Sequence, residues 1–267
     1  MNIKDEIFKL ALQYHQQNNL VEAEKLYNDV LKIDPRDTAV LVNLGVLLYS
    51  SKNYEKAKDL FEKVIVINPD LAEAHHNLGR LFGDNKKYQK AISCYENAIK
   101  IKPNYIDAHF NLGLAYQELD QFQKAKKCYE KIVEIDPEYE DVYNNLGVIF
   151  EMTGEYEKAI KCFKKKIEFN PKDFTALSNL ANIYITQQDD SDKTISTSYK
   201  ALKIYNENSS LISKALPLFR LKHDVQQAQY LISKDYKLEG IKEFQKIGDE
   251  ILDRAENKED ENNYNKK

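Results

Sequence analysis

One series of asparagines recurs along the chain at a constant interval of 34 residues: Asn43, Asn77, Asn111, Asn145 and Asn179. A carboxamide side chain carries both donors and an acceptor, so it can bind the N–H and the C=O of a peptide together. An extended peptide advances about 3.3 Å per residue, and side chains about 10 Å apart would meet roughly every third residue. The series therefore predicts a row of peptide-binding side chains, called here the asparagine row.

Three cysteines share the same interval, at Cys94, Cys128 and Cys162. Equivalent positions in stacked repeats should lie on the order of 10 Å apart. A disulfide needs Cα atoms within about 7 Å, and a shared zinc needs sulfurs about 2.3 Å from the metal. Leu26 and Leu60 occupy the same position in earlier repeats. We therefore interpret the cysteines as small apolar core residues and expect no metal site.

No motif of an enzyme stands out in the sequence. His75 and His109 share a position that other repeats fill with Leu41, Tyr143 and Leu177, which favours packing over metal binding. No glycine-rich phosphate loop and no His-Glu-x-x-His metal motif occurs. The periodic glycines are Gly45, Gly79, Gly113 and Gly147. The prediction is a protein that is not an enzyme and needs no cofactor.

The same interval governs the residues that build structure. Prolines recur at Pro35, Pro69, Pro103, Pro137 and Pro171. Within one repeat, apolar residues follow a 3.6-residue period over 106–119 and again over 122–135, which predicts two helices. Asp120 and Gln121 separate these helices, and a gap that short requires antiparallel neighbours. Proline then ends the second helix, because it lacks an N–H and clashes with the preceding turn.

A glycine and an alanine recur on the first and second helix of each repeat. Gly113 and Ala125 represent this pair in the repeat that spans 106–139. Glycine inside a helix is unfavourable by about 1 kcal/mol relative to alanine, so a packing role is needed to offset it. We expect the two helices to approach each other closely where Gly113 faces Ala125.

These residues resemble the tetratricopeptide repeat family, whose Leu-Gly, alanine, aromatic and proline positions recur here in register. The resemblance implies an all-α, right-handed superhelical solenoid of antiparallel helix pairs. It also implies that the first helices line a concave groove. Arrays like that of O-linked N-acetylglucosamine transferase use such an asparagine ladder for extended substrates, although asparagine is also simply common at this position. Arg80, Phe110 and Asn182 lie on the same predicted face and complete the candidate peptide-binding set.

The resemblance covers about residues 4–205 as six repeats: 4–37, 38–71, 72–105, 106–139, 140–173 and approximately 174–207. A degenerate helix pair is predicted over 209–236. The amphipathic segment 238–256 is predicted to be a helix that caps the array, with partner binding as the alternative. The charged segment 257–267 is predicted to be disordered.

The formal net charge of −4 argues against binding to nucleic acid or to an anionic membrane. No apolar stretch reaches 18 residues, and the first residues lack the apolar core of a signal peptide. Cytoplasmic location is the resulting expectation. Charged runs such as Lys164, Lys165 and Lys166 are interpreted as a solvated outer face.

The expected function is a non-catalytic interaction scaffold that binds an extended segment of another protein. The alternative is an array that delivers substrates to a glycosyl- or methyltransferase recruited in trans, because the segment after residue 206 is too short for such a domain. RNA binding is a third possibility that the acidic balance disfavours. The identity of the partner and the oligomeric state stay open.

Overall fold

The computed structural model describes residues 3–187 and residue 197. Within residues 3–187 the chain forms eleven helices: α1 (Ile3–Gln16), α2 (Leu20–Ile33), α3 (Thr38–Ser50), α4 (Tyr54–Ile67), α5 (Ala72–Asp84), α6 (Tyr88–Ile101), α7 (Ile106–Gln117), α8 (Phe122–Ile135), α9 (Asp141–Met152), α10 (Tyr156–Phe169) and α11 (Phe174–Thr186). The prediction of an all-α array of antiparallel helix pairs is confirmed. Among the described helices, none combines the length and the apolar character needed to cross a bilayer.

Contacts divide the chain into two compact units, Met1–Pro137 and Glu138–Lys267, called here the first and second units. In the first unit, α1 to α8 form four helix pairs, and each pair packs on the next. In the second unit, α9 pairs with α10, and α11 packs against both. The predicted helix pair 209–236, the capping helix 238–256, the tail 257–267 and most of the segment after α11 lie outside the described residues.

The turn inside each helix pair contains one residue with a left-handed backbone. These residues keep the interval of the repeat: Asn18, Lys52, Lys86, Asp120 and Gly154. The following N–H reaches back to the last turn of the first helix, as Gln121 N does to the Tyr116 carbonyl at 2.9 Å. This six-to-one bond is the Schellman arrangement that ends helices. It ends α7 at Gln117, two residues before the expected boundary, so Glu118 and Leu119 belong to the turn.

The second helix of each pair ends two residues before the periodic proline. In the fourth repeat, α8 ends at Ile135 and Asp136 adopts an extended backbone with φ −142° and ψ 96°. The ring of the following Pro137 disfavours helical geometry at the residue before it, which explains why the helix stops there. The predicted role of the prolines agrees with this geometry.

The periodic glycines make room for an aromatic ring rather than for an alanine. A Cβ placed on Gly113 would lie 2.5 Å from Cε1 of Tyr129, far inside normal van der Waals contact. Gly45, Gly79 and Gly147 face the rings of Phe61, Tyr95 and Phe163 in the same way. The expectation that Gly113 serves an approach to Ala125 is therefore corrected, because the space is filled by the fully buried ring one turn further along α8.

Lys166 contradicts the interpretation of residues 164–166 as a solvated face. Lys164 is exposed, but Lys166 is only 6 % exposed and lies 3.4 Å from carboxylate oxygens of both Glu140 and Asp141. Its position in the repeat is held by Ile132 one repeat earlier, also fully buried. Consecutive residues of a helix point about 100° apart, so a run of three lysines cannot share one face.

The cysteines and two of the histidines are core residues. Cys128 and Cys162 are buried and Cys94 half-buried, all as free thiols. Burial raises the pKa of Cys94 to about 11 and of Cys128 to about 12, so these thiols stay protonated. His75 and His109 do more than pack, since Nε2 of each donates to the carbonyl of the preceding periodic proline, at 2.9 and 2.8 Å.

Candidate peptide-binding site

The first helices of the first unit border a cleft of about 370 Å³, called here the tyrosine cleft. It lies where α3, α5 and α7 are neighbours, with the start of α6 at one side. The lining residues are Tyr49 of α3, Arg80, Gly83 and Asp84 of α5, Tyr88 and Tyr95 of α6, Asn111, Leu114 and Ala115 of α7, and Glu118 of the following turn. Two residues of the predicted peptide-binding set, Arg80 and Asn111, are therefore brought together here.

Arg80 is held by an aromatic ring on the neighbouring first helix. Its guanidinium lies 4.9 Å from the centre of the Tyr49 ring, within the range of a cation–π interaction. The Tyr49 hydroxyl donates a hydrogen bond to Asp84, and burial together with this bond raises the pKa of Tyr49. The Arg80 cation, the Tyr49 phenol and the Asp84 carboxylate thus lie next to one another in the lining of the cleft.

A second carboxylate, Glu118, also lines the cleft. Glu118 accepts a hydrogen bond of 2.8 Å from the hydroxyl of Tyr88. Asp84 and Glu118 occupy the same position in successive repeats, although sequence analysis did not include them in the site. The signal was available, since Ser50 and Met152 hold that position elsewhere and only two adjacent repeats carry an acid.

Asn111 of the asparagine row is linked to the preceding repeat by a buried histidine. Its amide Nδ2 lies 2.9 Å from Nε2 of His76, which must accept because an amide nitrogen only donates. Nδ1 of His76 then carries the proton and faces the Tyr105 hydroxyl at 3.3 Å. Burial, with Arg80 as a smaller cause, lowers the pKa of His76 to about 4. The Asn111 carboxamide is thereby oriented by a neutral, buried imidazole.

The other asparagines of the first unit differ in their surroundings. Asn43 donates to the backbone carbonyl of Ala39 in its own helix at 2.8 Å. Asn77 is half-buried beside Val46, Tyr49 and Arg80, and its side-chain amide forms no hydrogen bond with any residue that the structure describes. Asn77 is therefore the member of the row whose amide is open to a bound peptide in the first unit.

Phe110 adds an apolar element to the same helix as Asn111. Its ring is half-buried and lies 5.9 Å from the ring of Tyr129, centre to centre, in a tilted arrangement. The Tyr129 hydroxyl donates to the side-chain oxygen of Gln117 at the end of α7. The α7 face thus combines an aromatic ring with a fixed amide.

In the second unit, Asn145, Asn179 and Asn182 are half-buried on the first helices α9 and α11. Each of the first two follows a polar residue whose side chain is incompletely satisfied. Oδ1 of Asn144 and Oγ of Ser178 are buried without a hydrogen-bond partner among the described residues. Unpaired buried polar atoms are unfavourable by about 1–3 kcal/mol each.

Lowering the pH from 7 to 5 should destabilise the fold by about 2 kcal/mol through His76 alone. The unfolded chain binds this proton with the ordinary pKa of 6.5, whereas the folded chain resists it down to about 4. The stability that His76 contributes is therefore complete above pH 6.5 and is lost as the pH falls toward 4. Urea unfolding followed by circular dichroism at both pH values measures the difference.

The matched variant for this measurement is His76→Phe, because Phe110 holds the equivalent position one repeat later. It removes the titrating group and keeps an aromatic ring. We expect the variant to lose about 2 kcal/mol less than the parent between the two pH values. The same pH dependence in both proteins would contradict a depressed pKa at His76.

Comparisons with known proteins agree on the architecture. Tetratricopeptide repeat models match residues 14–81, 80–120, 106–139 and 140–173. The crystal structure of MamA is 30% identical, with 64% of this chain and 96% of that chain covered and a TM-score of 0.56. No curated protein sequence matches the chain.

Two further solved structures are alike in fold. YrrB, a TPR protein with an unusual peptide-binding site, is 20% identical, with coverage of 68% and 93% and a TM-score of 0.61. PilF from Pseudomonas aeruginosa is 19% identical, with coverage of 79% and 95% and a TM-score of 0.68. At these identities the likeness concerns the fold alone.

Proposed function

The chain belongs to the tetratricopeptide repeat family, and from this membership we propose that it is a non-catalytic scaffold for an extended segment of another protein. The segment would lie on the face of the first helices and pass through the tyrosine cleft. In YrrB, a protein of the same fold, a peptide-binding site is known. Within this proposal, the peptide-binding role of the asparagine row rests on the types and spacing of these residues alone.

The observation that carries the proposal is the composition of the tyrosine cleft. Tyrosine rings and Leu114 supply apolar surface, while Arg80, Asp84 and Glu118 supply charges at fixed places. Recognition of extended peptides combines hydrogen bonds to the main chain with pockets for particular side chains. Asn77 and Asn111, which are one repeat apart, would supply the hydrogen bonds to the peptide main chain. The tyrosine cleft would supply the pocket for a peptide side chain.

The proposal distinguishes two roles within the asparagine row. Asn77 has an unengaged amide and would bind the peptide backbone directly. Asn111 already donates to His76 and keeps its carbonyl oxygen for a peptide N–H. Because His76 is neutral, it holds the amide in this orientation and leaves the acceptor free. A peptide would therefore meet the whole amide at Asn77, and at Asn111 the carbonyl oxygen and the second N–H of the amide.

Changing Asn77, Asn111 and Asn145 together to alanine should weaken binding of a captured partner at least tenfold. Each lost hydrogen bond contributes about 0.5–1.5 kcal/mol, and 1.4 kcal/mol corresponds to a factor of ten. Affinity capture on the full chain with cross-linking identifies the partner, and titration calorimetry then compares the variants. Cross-links should map to α3, α5 and α7.

The control changes Asn28, Asn97 and Asn104 to alanine. These asparagines lie on second helices or between repeats and are exposed. Binding should stay within about twofold of the parent, since surface changes away from a site have little effect. Unaltered affinity in the first variant, with its circular dichroism spectrum intact, would remove the asparagine row from the proposal. Capture of a glycosyl- or methyltransferase would instead favour substrate delivery in trans.

A further inference from the structure

A second cleft, of about 600 Å³, lies between the second helices of adjacent repeats in the first unit. It shares no residue with the tyrosine cleft. Its floor consists of Ile99 of α6, Pro103 of the connecting turn, Leu112 of α7 and Cys128 of α8. Lys100, Lys127 and Lys131 stand at its edge, so it is called here the lysine cleft.

The floor of the lysine cleft offers almost no polar group to a ligand. Nε2 of His109, which borders it, is already bound to the Pro103 carbonyl at 2.8 Å. The Cys128 thiol is neutral, because burial and the neighbouring Glu96 raise its pKa to about 12. An occupant of the floor must therefore be apolar.

The edge of the cleft is positive. Glu96 accepts a hydrogen bond of 2.8 Å from the Tyr116 hydroxyl, and Lys131 is paired with Glu134 at 2.9 Å. Lys100 and Lys127 form no ion pair with any residue from 3 to 187. Three lysines and one carboxylate line the cleft, which gives a local positive excess on a chain whose net charge is −4.

The preceding repeat lacks these lysines, although Lys161 and Lys165 hold two of the three positions in the following repeat. One repeat earlier, the positions equivalent to Lys100, Lys127 and Lys131 hold Val66, Ser93 and Asn97. In the floor, the position of Cys128 is held by leucine in the first two repeats and by Cys94 and Cys162 in the neighbouring repeats. The smaller thiol leaves depth where a leucine would fill the floor. Within the first unit, only the junction between the third and fourth repeats combines these three lysines with a cysteine in the floor.

We propose that the lysine cleft is a second docking site, which accepts an acidic protein segment carrying one large apolar side chain. The apolar side chain would enter over Ile99, Leu112 and Cys128, and flanking carboxylates would pair with Lys100 and Lys127. An anionic membrane is the less suitable occupant, because membrane-binding clusters use roughly four to eight basic residues and flat contact. Since this site shares no residue with the tyrosine cleft, one chain could bind two partners.

The test uses a fluorescein-labelled peptide with one phenylalanine flanked by two glutamates on each side. Fluorescence anisotropy with the full chain should show saturable binding with a Kd on the order of 10–100 µM. Replacing the phenylalanine by serine, or the glutamates by glutamines, should weaken binding at least tenfold. The variant with alanines in the asparagine row should bind this peptide as the parent does, which separates this site from the proposed function.

Two pairs of variants connect the binding to the cleft. Lys100→Gln with Lys127→Gln should weaken binding at least tenfold, whereas Lys56→Gln with Lys63→Gln, which removes two exposed lysines of α4, should change it less than twofold. Cys128→Leu should fill the floor and weaken binding at least fivefold. Cys94→Leu, the same change at the same position one repeat earlier, should leave binding unchanged.

Three outcomes would overturn the inference. The first is absence of binding to the parent chain at peptide concentrations near 1 mM, the weak end of specific affinity. The second is an equal loss in both pairs of lysine variants, which would mean general attraction to a basic surface. The third is displacement of the peptide by phosphatidylglycerol vesicles but not by unlabelled peptide, which would identify a membrane contact. Circular dichroism confirms that each variant is folded.

Discussion

Lys166→Glu is expected to lower the unfolding free energy of the second unit by about 3–5 kcal/mol. The Lys166 ammonium lies 3.4 Å from oxygens of both Glu140 and Asp141, and 3.9 Å from Asp173, with a side chain only 7 % exposed. A glutamate there would bury a negative charge beside these three carboxylates. Urea unfolding measured by circular dichroism gives the difference.

Lys166→Met separates the charge from the volume of the side chain. The position is apolar in earlier repeats, where Val30, Val64 and Ile132 are fully buried, so methionine suits the packing. We expect a change within about 1 kcal/mol, because replacing a buried ion by an apolar residue of similar volume is often neutral or stabilising. Lys164→Glu is the exposed control and should change stability by less than about 0.5 kcal/mol. Similar losses for Lys166→Glu and Lys164→Glu would contradict the burial of Lys166.

Gly113→Leu should destabilise the first unit by about 3 kcal/mol, near the upper end for overpacked cores. Even the first carbon of the new side chain would lie 2.5 Å from Cε1 and 2.7 Å from Cζ of Tyr129. The ring cannot move aside easily, because Tyr129 is 0 % exposed and packs among core side chains. Thermal and urea unfolding of the variant measure the loss.

Gly83→Ala is a control that should raise the unfolding free energy rather than lower it. A Cβ at Gly83 would meet only the Tyr95 hydroxyl, at the ordinary distance of 3.5 Å. Alanine is the better helix former, so we expect a gain of a few tenths to about 1 kcal/mol. Combining Gly113→Leu with Tyr129→Ala should cost less than the sum of the two single changes, because the leucine then fills the space of the ring. Strict additivity would show that glycine and ring do not share this space.

Several features of the fold were predictable from the spacing of residue types. The left-handed residues Asn18 and Asp120 stand at equivalent positions, and the helix pairs follow because the same contacts repeat in every 34-residue stretch. The position of a residue within the repeat also indicates whether it is buried, which the interpretation of the lysine run did not consider. Lys166 shares its position with buried Ile132, so the repeat predicts burial where a lysine run suggests exposure.

Side-chain pairing was harder to predict. The sequence placed Gly113 opposite the second helix, but both Ala125 and Tyr129 lie there, and rotamers and helix crossing decide which one fills the gap. The bond between Asn111 and His76 joins residues 35 positions apart on different helices. Nothing in the type of either residue indicates whether the Asn111 amide faces a peptide or a neighbouring imidazole.

By itself, the sequence determined the class of fold and the register of the helices, because these depend on local periodicity repeated along the chain. Only the tertiary structure decided that glycine faces a ring, that Lys166 is buried among carboxylates, and that a lysine-edged cleft opens beside Cys128. The physical reason is that packing, pKa and charge compensation depend on distances between side chains of different helices, and those distances exist only once the helices have packed together.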